Sequence, residues 1–582
     1  MAEEKGHNPS LKPTINKMQN SRQENESFRN FAGWLTALFL TAFGAQLWTI
    51  WLYGSPIPIW DQWYEADALF RPWSEGPLHG SDLFAIDSNN RAVMTNLLDL
   101  LVIKLNGRWD PLLQMAVNAF IHATFACGLA YCLWKFFGRK RGWLVCFLLM
   151  PFFALPYGGE NAIWGYNSMW YFVNIFALAT IVGLGFARAG SWRWWLGFVA
   201  VVLGLLTMAS GLVAPMAAGG LILLRTIKNR RMEKMDFITL ALCIVLTVLG
   251  LLMVGMSQYN RPLQAHSFQE FTAALTHNLN WPFLNIPGMV FIIALPLVLL
   301  LVLYLRPNFQ MTLAAELILT LALWSVLQSV MIAYGRANYV QFVAGSRYMD
   351  VLNIFVVASL FASVLLGQFW EHKHIKRWGG LLLPLLFWGV ILFGLCRISL
   401  VVVDDVLVVT REWNLIAEER TEAFLKTGDE RELFKEPTVR PDPKVTLGVL
   451  RDPKLQSILP PVCLSPTPLV SAGRFAAVSQ WLLKNSIAIL SCGLVLFIGL
   501  CGYGLFRETM DLTFKNPAGI AALLIGLAAL GFVWSRHALQ RESVERDLQQ
   551  QLSGYFKVND PDRAAIHERK AEELNSDSQF AN

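Results

Sequence analysis

The chain has 582 residues, 54% of them hydrophobic and 15% charged, against roughly 25% charged residues in a typical soluble domain. With a mean hydropathy of +0.42, this excludes an ordinary soluble enzyme and makes the bilayer the solvent. The formal net charge is only +6 and the basic residues stand in short clusters between apolar runs, which excludes a nucleic-acid-binding footprint.

Residues 1–30 are polar and lack a short apolar core followed by a small-residue cleavage site, so the first span is expected to act as the targeting signal. A membrane-crossing helix needs about 20 apolar residues. On that rule spans fall near 31–53, 112–136, 143–156, 168–187, 194–208, 212–225, 237–256, 287–305, 312–333, 350–367, 379–398, 486–506 and 517–535. Three of them (143–156, 194–208 and 212–225) are short and read equally as half-spans or as one broken hairpin around Ala209, Ser210 and Gly211. The expected fold is therefore all-α and polytopic, with about 11 to 13 transmembrane helices. Many tryptophans, among them Trp48, Trp51, Trp134 and Trp143, end apolar runs, where an amphipathic ring settles at headgroup level. Seven of the eight cysteines lie in or at the ends of apolar runs, leaving Cys463 alone in a polar segment, so no disulfide framework or CxxC metal site is expected.

Lys and Arg orient the chain. With the N-terminus cytoplasmic, the inner loops carry fifteen of them and the longer outer loops up to residue 348 carry seven. Residues 54–111, 257–286, 334–349 and 399–485 then face outward. The first of these is rich in acids and aromatics, and 92–105 is amphipathic, as a helix lying along the interface would be. The 31–398 region forms a transmembrane core, and 399–485 a small helical appendage outside. In that appendage Gly428 closes a helix through Glu412–Lys426, Asp429 caps the next, and Asp442-Pro443 opens a third. Two further spans occupy 486–535, and the tail 536–582 is charged and Gln-rich. The tail lies outside if the spans number thirteen, and inside if they number twelve or fourteen.

Three outward features can carry chemistry. Trp60-Asp61-Gln62-Trp63 places a carboxylate between aromatics near the interface, where partial desolvation raises its basicity and suits it to take a proton from a hydroxyl. A helix cap or a salt-bridged surface acid is the plainer reading. Glu65 and Asp67 follow one turn on, so a divalent cation shared with Asp61 stays open as a cofactor, although no His or further acid at fixed spacing supports a metal site. Tyr334-Gly335-Arg336 and Ser346-Arg347-Tyr348 flank one short outer loop. Two guanidiniums at the membrane surface suit a lipid-linked phosphate, both bound and leaving; either can instead snorkel to anionic headgroups. The turn from Gly158 to Asn167 combines glycines, Glu160, Asn161, Trp164 and Tyr166. That mixture suits a sugar, although the same residues are ordinary in turns and at interfaces. Asn89-Asn90-Arg91 either lines the same cavity or caps the amphipathic helix. The scattered His79, His266 and His277 receive no role, and the chain lacks a Walker loop, a GxSxG elbow and an HExxH helix.

On these residues the chain resembles the GT-C superfamily of polytopic glycosyltransferases that use polyprenyl-phosphate sugars, and within it a group of bacterial membrane proteins. The likeness runs from the first span to about residue 461. It is carried by the W-D-x-W of Trp60, Asp61 and Trp63, by Ser88-Asn89-Asn90-Arg91, and by the W-G-[FY]-x-S stretch from Trp164 to Ser168. Ala209-Ser210-Gly211 and the two arginine motifs complete it. In one respect the chain departs: the group often reads H-N-E-H-R where this sequence has Asp87-Ser88-Asn89-Asn90-Arg91, so only the arginine carries over.

The resemblance implies a glycosyltransferase without a nucleotide requirement, in the bacterial inner membrane, with its site on the extracytoplasmic side. Asp61 is then the catalytic acid of the first outer loop, deprotonating an acceptor hydroxyl for inverting displacement. Arg336, Arg347 and Tyr348 hold the donor phosphate, and Glu65, Arg91, Glu160, Asn161, Trp164 and Tyr166 bind substrate. The implied partners are a polyprenyl-phosphate sugar donor, a glycan, lipid or protein acceptor, and the bilayer. A polysaccharide polymerase or ligase, a lipid or glycan transporter, and a scaffold that has lost catalysis are the alternatives.

Overall fold

The computed structural model describes residues 12–84, 92–137, 142–254, 258–284, 286–307, 309, 312–338, 345–371, 379–435, 442–464, 473–506, 517–556, 564–565 and 567–572. Among the described residues every element is helical. The apolar helices are α1 (Lys12–Tyr53), α2 (Pro111–Phe137), α3 (Gly142–Ala154), α4 (Ser168–Phe186), α5 (Trp192–Thr207), α6 (Val213–Asn229) and α7 (Lys234–Met253). They continue with α8 (Met289–Tyr304), α9 (Thr312–Arg336), α10 (Met349–Glu371), α11 (Gly379–Val402), α12 (Ser486–Phe506) and α13 (Pro517–Phe556). Ten helices among the described residues are long and apolar enough to cross a membrane, and α5 and α8 are shorter apolar helices.

Of the three short runs, two lie in helices long enough to cross a membrane and 194–208 stays a shorter apolar helix. α3 continues through a 3-10 turn at Pro156–Gly158 into the helix Gly159–Ile163, while α5 and α6 form a helical hairpin joined by a 3-10 turn at Ala209–Leu212. The helix α10 is the hub, its 18-residue apolar window wholly buried, whereas α7 keeps only 22% of its window buried. Close approach needs small residues. A Cβ on Gly44 of α1 would stand 2.3 Å from the Leu490 backbone nitrogen, so these two antiparallel helices touch backbone to backbone.

The first loop and the appendage are one layer. Ile57, Trp63, Phe70, Trp109, Phe424, Leu433, Val449 and Leu459 bury a shared apolar core. The Arg108 guanidinium donates to the Leu459 carbonyl at 2.7 Å and the Trp109 N–H to that of Ile458 at 2.7 Å. A cavity of about 300 Å³ opens along the seam, lined by Pro56, Ile57, Glu418, Leu425 and Val462 among others. The expected start of the appendage at residue 399 needs correction. α11 passes through a π-helical turn at Val403–Leu407 directly into the helix Val408–Thr427, so that helix rises unbroken from the bundle and begins before Glu412. Gly428 terminates it with φ 71°, and Asp442 caps Pro443–Arg451 by accepting from the Lys444 N–H, both as the sequence indicates. Asp429 accepts from the Arg431 N–H, although the residue directly before that short helix is Glu430.

The side of the tail, open in the sequence, follows from packing. Trp534 of α13 stacks on Trp48 at 4.7 Å, and the Tyr53 hydroxyl donates to the His537 carbonyl at 3.0 Å. Because Tyr53 ends α1 where the first loop departs, α13 emerges on the same face. Farther along, His567 Nε2 lies 2.8 Å from Glu419 of the appendage.

Candidate functional site

The Trp60–Trp63 stretch, the Gly158–Asn167 turn and Ser346-Arg347-Tyr348 meet at the loop-bearing ends of α1, α3 and α10. Trp60 has φ 52° and ψ −122°, a sparsely populated conformation for a residue with a side chain. Gln62 closes the turn behind it by accepting from the Ile59 N–H at 3.1 Å, while its amide donates to Gln114 at 3.0 Å. Trp63, fully buried, packs edge-on against Trp109 at 6.5 Å. Anchoring on Gln62 and Trp63 leaves Trp60 and Asp61 half-buried at the surface of the cluster. Asp61 also opens the helix Asp61–Glu65, where an acid suits the helix dipole.

Two strands of bonding join the 156–167 turn to Ser346-Arg347-Tyr348. Glu160 Oε2 accepts from the Arg347 N–H and from the Ser346 hydroxyl, each at 3.0 Å, and the Glu160 N–H donates back to Ser346 Oγ at 3.1 Å. Asn161 is fully buried and its amide donates to the Arg347 carbonyl at 2.9 Å and to Asp350 at 2.7 Å. Gly158 is required beneath them, since a Cβ there would stand 2.8 Å from the Asp350 carboxylate. The Arg347 guanidinium lies 3.8 Å from Glu160 Oε1, 5.5 Å over the Trp164 ring and 5.8 Å over that of Tyr348. Trp60 and Trp164 meet with ring centres 5.8 Å apart.

Asp61 and Arg347 share this cluster. Burial pushes the Asp61 carboxyl above the usual carboxylate range, and the Arg347 charge pulls it partly back. A carboxylate of raised basicity beside a guanidinium and two indoles can accept a proton while an anion rests against the guanidinium. Trp164 Nε1 is buried without an acceptor among the described residues.

Other expected members sit elsewhere. Arg336 ends α9 and donates to its own neighbour's carbonyl, that of Gly335, at 3.0 Å. The end of α9 leans toward the helix Phe268–Leu279, where Ala333 and Ala337 pack on Ala274. Among the described residues no hydrogen bond or ion pair joins Arg336 to Asp61. Glu65 is buried at the end of the helix Asp61–Glu65. Asp67 turns outward to Arg71 at 2.8 Å, so Asp61, Glu65 and Asp67 do not converge on a cation. Among the described residues no cluster of three or more His, Cys, Asp or Glu side chains could hold a metal. Tyr166 and Tyr348 are buried wall residues, Tyr348 edge-on to Trp170 at 5.2 Å. Ser88, Asn89, Asn90 and Arg91 lie outside the described residues.

Sequence reasoning missed Asp350 and Asp99. The available signal was an acid within each of the largely apolar stretches 349–370 and 93–106. No protein-family model, curated protein or solved structure matches this chain.

Proposed function

We propose that this protein is a membrane glycosyltransferase that moves a sugar from a polyprenyl-phosphate donor to a hydroxyl acceptor on the outward face, in a bacterial inner membrane with the N-terminus cytoplasmic. The observation that carries the reading is the aromatic chain that joins the turn of Asp61 to Arg347, from distant parts of the sequence: Trp60 meets Trp164, the Arg347 guanidinium lies over Trp164, and its charge acts on the Asp61 carboxyl. Asp61 takes the acceptor's hydroxyl proton as that oxygen bonds to the anomeric carbon. The bond from that carbon to the phosphate oxygen breaks with its electron pair on phosphate, and Arg347 stabilises the growing charge. Attack opposite the leaving group inverts the anomeric centre. Glu160 and Asn161, bonded to the backbone of Arg347, orient the guanidinium rather than the sugar. Trp60 and Trp164 offer ring faces to the sugar's C–H surface.

The test uses purified full-length protein in lipid with a panel of polyprenyl-phosphate sugars, reading released polyprenyl phosphate and glycosylated acceptor. Wild type should turn over one donor, and Asp61→Asn should bind it without turnover. Equal transfer by both proteins would remove Asp61 from the chemistry.

A further inference from the structure

Two short helices at the outward end of the bundle leave apolar faces open. In the helix Val93–Asn106 the side chains of Val93, Asn96, Asp99, Val102 and Ile103 are buried. Leu97, Leu101 and Leu105, at i, i+4 and i+8, share the exposed side with Lys104. The helix Ala476–Lys484 buries Ala476, Ser479 and Leu483, the last in the core of the bundle. It turns out Val478 and Trp481, with Phe475 just before it. Each of these six apolar side chains is between 43% and 59% exposed, and a water-facing surface seldom keeps such a patch without a partner.

The two helices are tied to each other and to the ends of two spans. Asn106 makes the first tie: its carbonyl accepts from the Arg474 N–H at 2.9 Å and its Oδ1 from the Phe475 N–H at 2.8 Å. Gly473, at φ 112°, is required there, because a Cβ would run into the Asn106 side chain. Ser479 Oγ lies 3.5 Å from Asp110 Oδ2, and the other oxygen of that carboxylate caps α2 by accepting from the N–H groups of Leu112 and Leu113. Only residues 107–110 separate Asn106 from α2, and only Asn485 separates Lys484 from α12. Both α2 and α12 are long and apolar enough to cross a membrane, so the pair lies at the level where they leave the bilayer. The open faces also have one sign of charge. Lys104, Arg474 and Lys484 are exposed, whereas the acid within the two segments, Asp99, is buried. Leucine and tryptophan beside basic residues suit a helix lying in the headgroup layer. A second copy of the chain would set the same basic rim against itself across a two-fold contact, which like charge disfavours.

We propose that Val93–Asn106 and Ala476–Lys484 form one belt that seats the outer layer on the bilayer. The six apolar side chains enter the acyl boundary, and Lys104, Arg474 and Lys484 bind the phosphates of anionic lipid headgroups. The belt is independent of the transferase reading.

Photo-crosslinking tests it on the full chain, with p-benzoylphenylalanine in place of Leu101 or of Val478, in nanodiscs of phosphatidylcholine and phosphatidylglycerol in equal parts. Both positions are exposed, so neither probe disturbs the core. Each should form phospholipid adducts, read by mass spectrometry. Adducts to a second copy of the chain without lipid adducts would give the face to an oligomer, and no adduct of either kind would leave it in water; both results overturn the belt. Lipid adducts at one position alone overturn it as a single surface. Among the lipid adducts phosphatidylglycerol should exceed phosphatidylcholine by about threefold or more. Combining Lys104→Gln, Arg474→Gln and Lys484→Gln should return that ratio to the mixing ratio. Absence of enrichment in the unaltered belt, or the same enrichment in the triple variant, overturns the headgroup contact.

Discussion

Two arginine–carboxylate sites stand at opposite ends of the bundle, and they are built differently. On the face away from the appendage, Arg225 of α6 donates to Glu316 of α9 through Nε at 3.0 Å and a terminal nitrogen at 2.7 Å. Its other terminal nitrogen reaches the Gly185 carbonyl, and the Tyr304 hydroxyl fills the second Glu316 oxygen at 2.8 Å. Four helices are fastened by one saturated ion pair. At the other end, the short bonds of Glu160 go to the Arg347 N–H and the Ser346 hydroxyl, and its nearest guanidinium contact is 3.8 Å. There the carboxylate fixes the backbone of the arginine, and the charge is presented over aromatic faces toward Asp61. One pair joins side chain to side chain across four helices; in the other the carboxylate holds the arginine's backbone.

The largest effect that sharpens this contrast is expected at Asp61. Loss of a general base costs about 10²–10⁴-fold in rate, so Asp61→Asn should lower turnover by that factor with an unchanged unfolding midpoint. A lowered midpoint in Asp61→Asn would turn the outer site into a structural one. The mirror-image variant is Arg225→Ala, which strands Glu316 at a partly buried position. Breaking such a pair costs about 3–5 kcal/mol, and thermal unfolding in detergent should show it, whereas Arg225→Met with Glu316→Leu should recover most of the loss. Wild-type melting of Arg225→Ala would erase the distinction between the two ends.

A third variant reads the electrostatics directly. The Arg347 charge lowers the Asp61 carboxyl against the upward push of burial, so Arg347→Gln should raise it further. On the proposed reading transfer requires the ionised base; the acid limb of the kcat/KM profile should therefore move to higher pH. An unmoved limb with reduced kcat would mean that Arg347 serves the leaving group alone.

How much of this was legible depended on where each side chain's partner lies. Trp60-Asp61, the Gly158–Asn167 turn and Ser346-Arg347-Tyr348 stood out because polar and aromatic residues at span ends break the apolar pattern, and short loops confine them to one face. Their convergence needed the packing of α3 on α10, which periodicity does not encode. Arg336 looked equivalent to Arg347 because both flank one loop, yet the end of α9 is drawn away by Ala333 and Ala337. Glu65 looked available because i, i+4 spacing puts it beneath Asp61, whereas it is buried in the packed outer layer. Of the thirteen apolar runs, ten fall in helices long and apolar enough to cross a membrane among the described residues, two are shorter apolar helices, and the run near 517–535 lies in a longer helix that continues into charged residues. The unbroken passage of α11 into Val408–Thr427 was hidden by a change from apolar to charged composition within one helix.

The smallest effect concerns what joins the first loop to the appendage. Ion pairs decorate that seam: Lys454 lies 3.2 Å from Glu75, and each side chain is more than half exposed. Pairs in that setting are screened and give back in side-chain entropy most of what they gain, so Lys454→Ala should cost about 0.5 kcal/mol or less. Leu433 and Leu459 lie beneath, 0% and 1% exposed in the core shared by the two segments. Truncating either to Ala leaves a cavity and should cost about 2–5 kcal/mol. Proteolysis after the Gly428 helix end reads both, since cleavage follows opening of the layer. A Lys454→Ala protein cleaved as fast as Leu459→Ala would mean that charge, not apolar burial, holds the layer over the Asp61 turn.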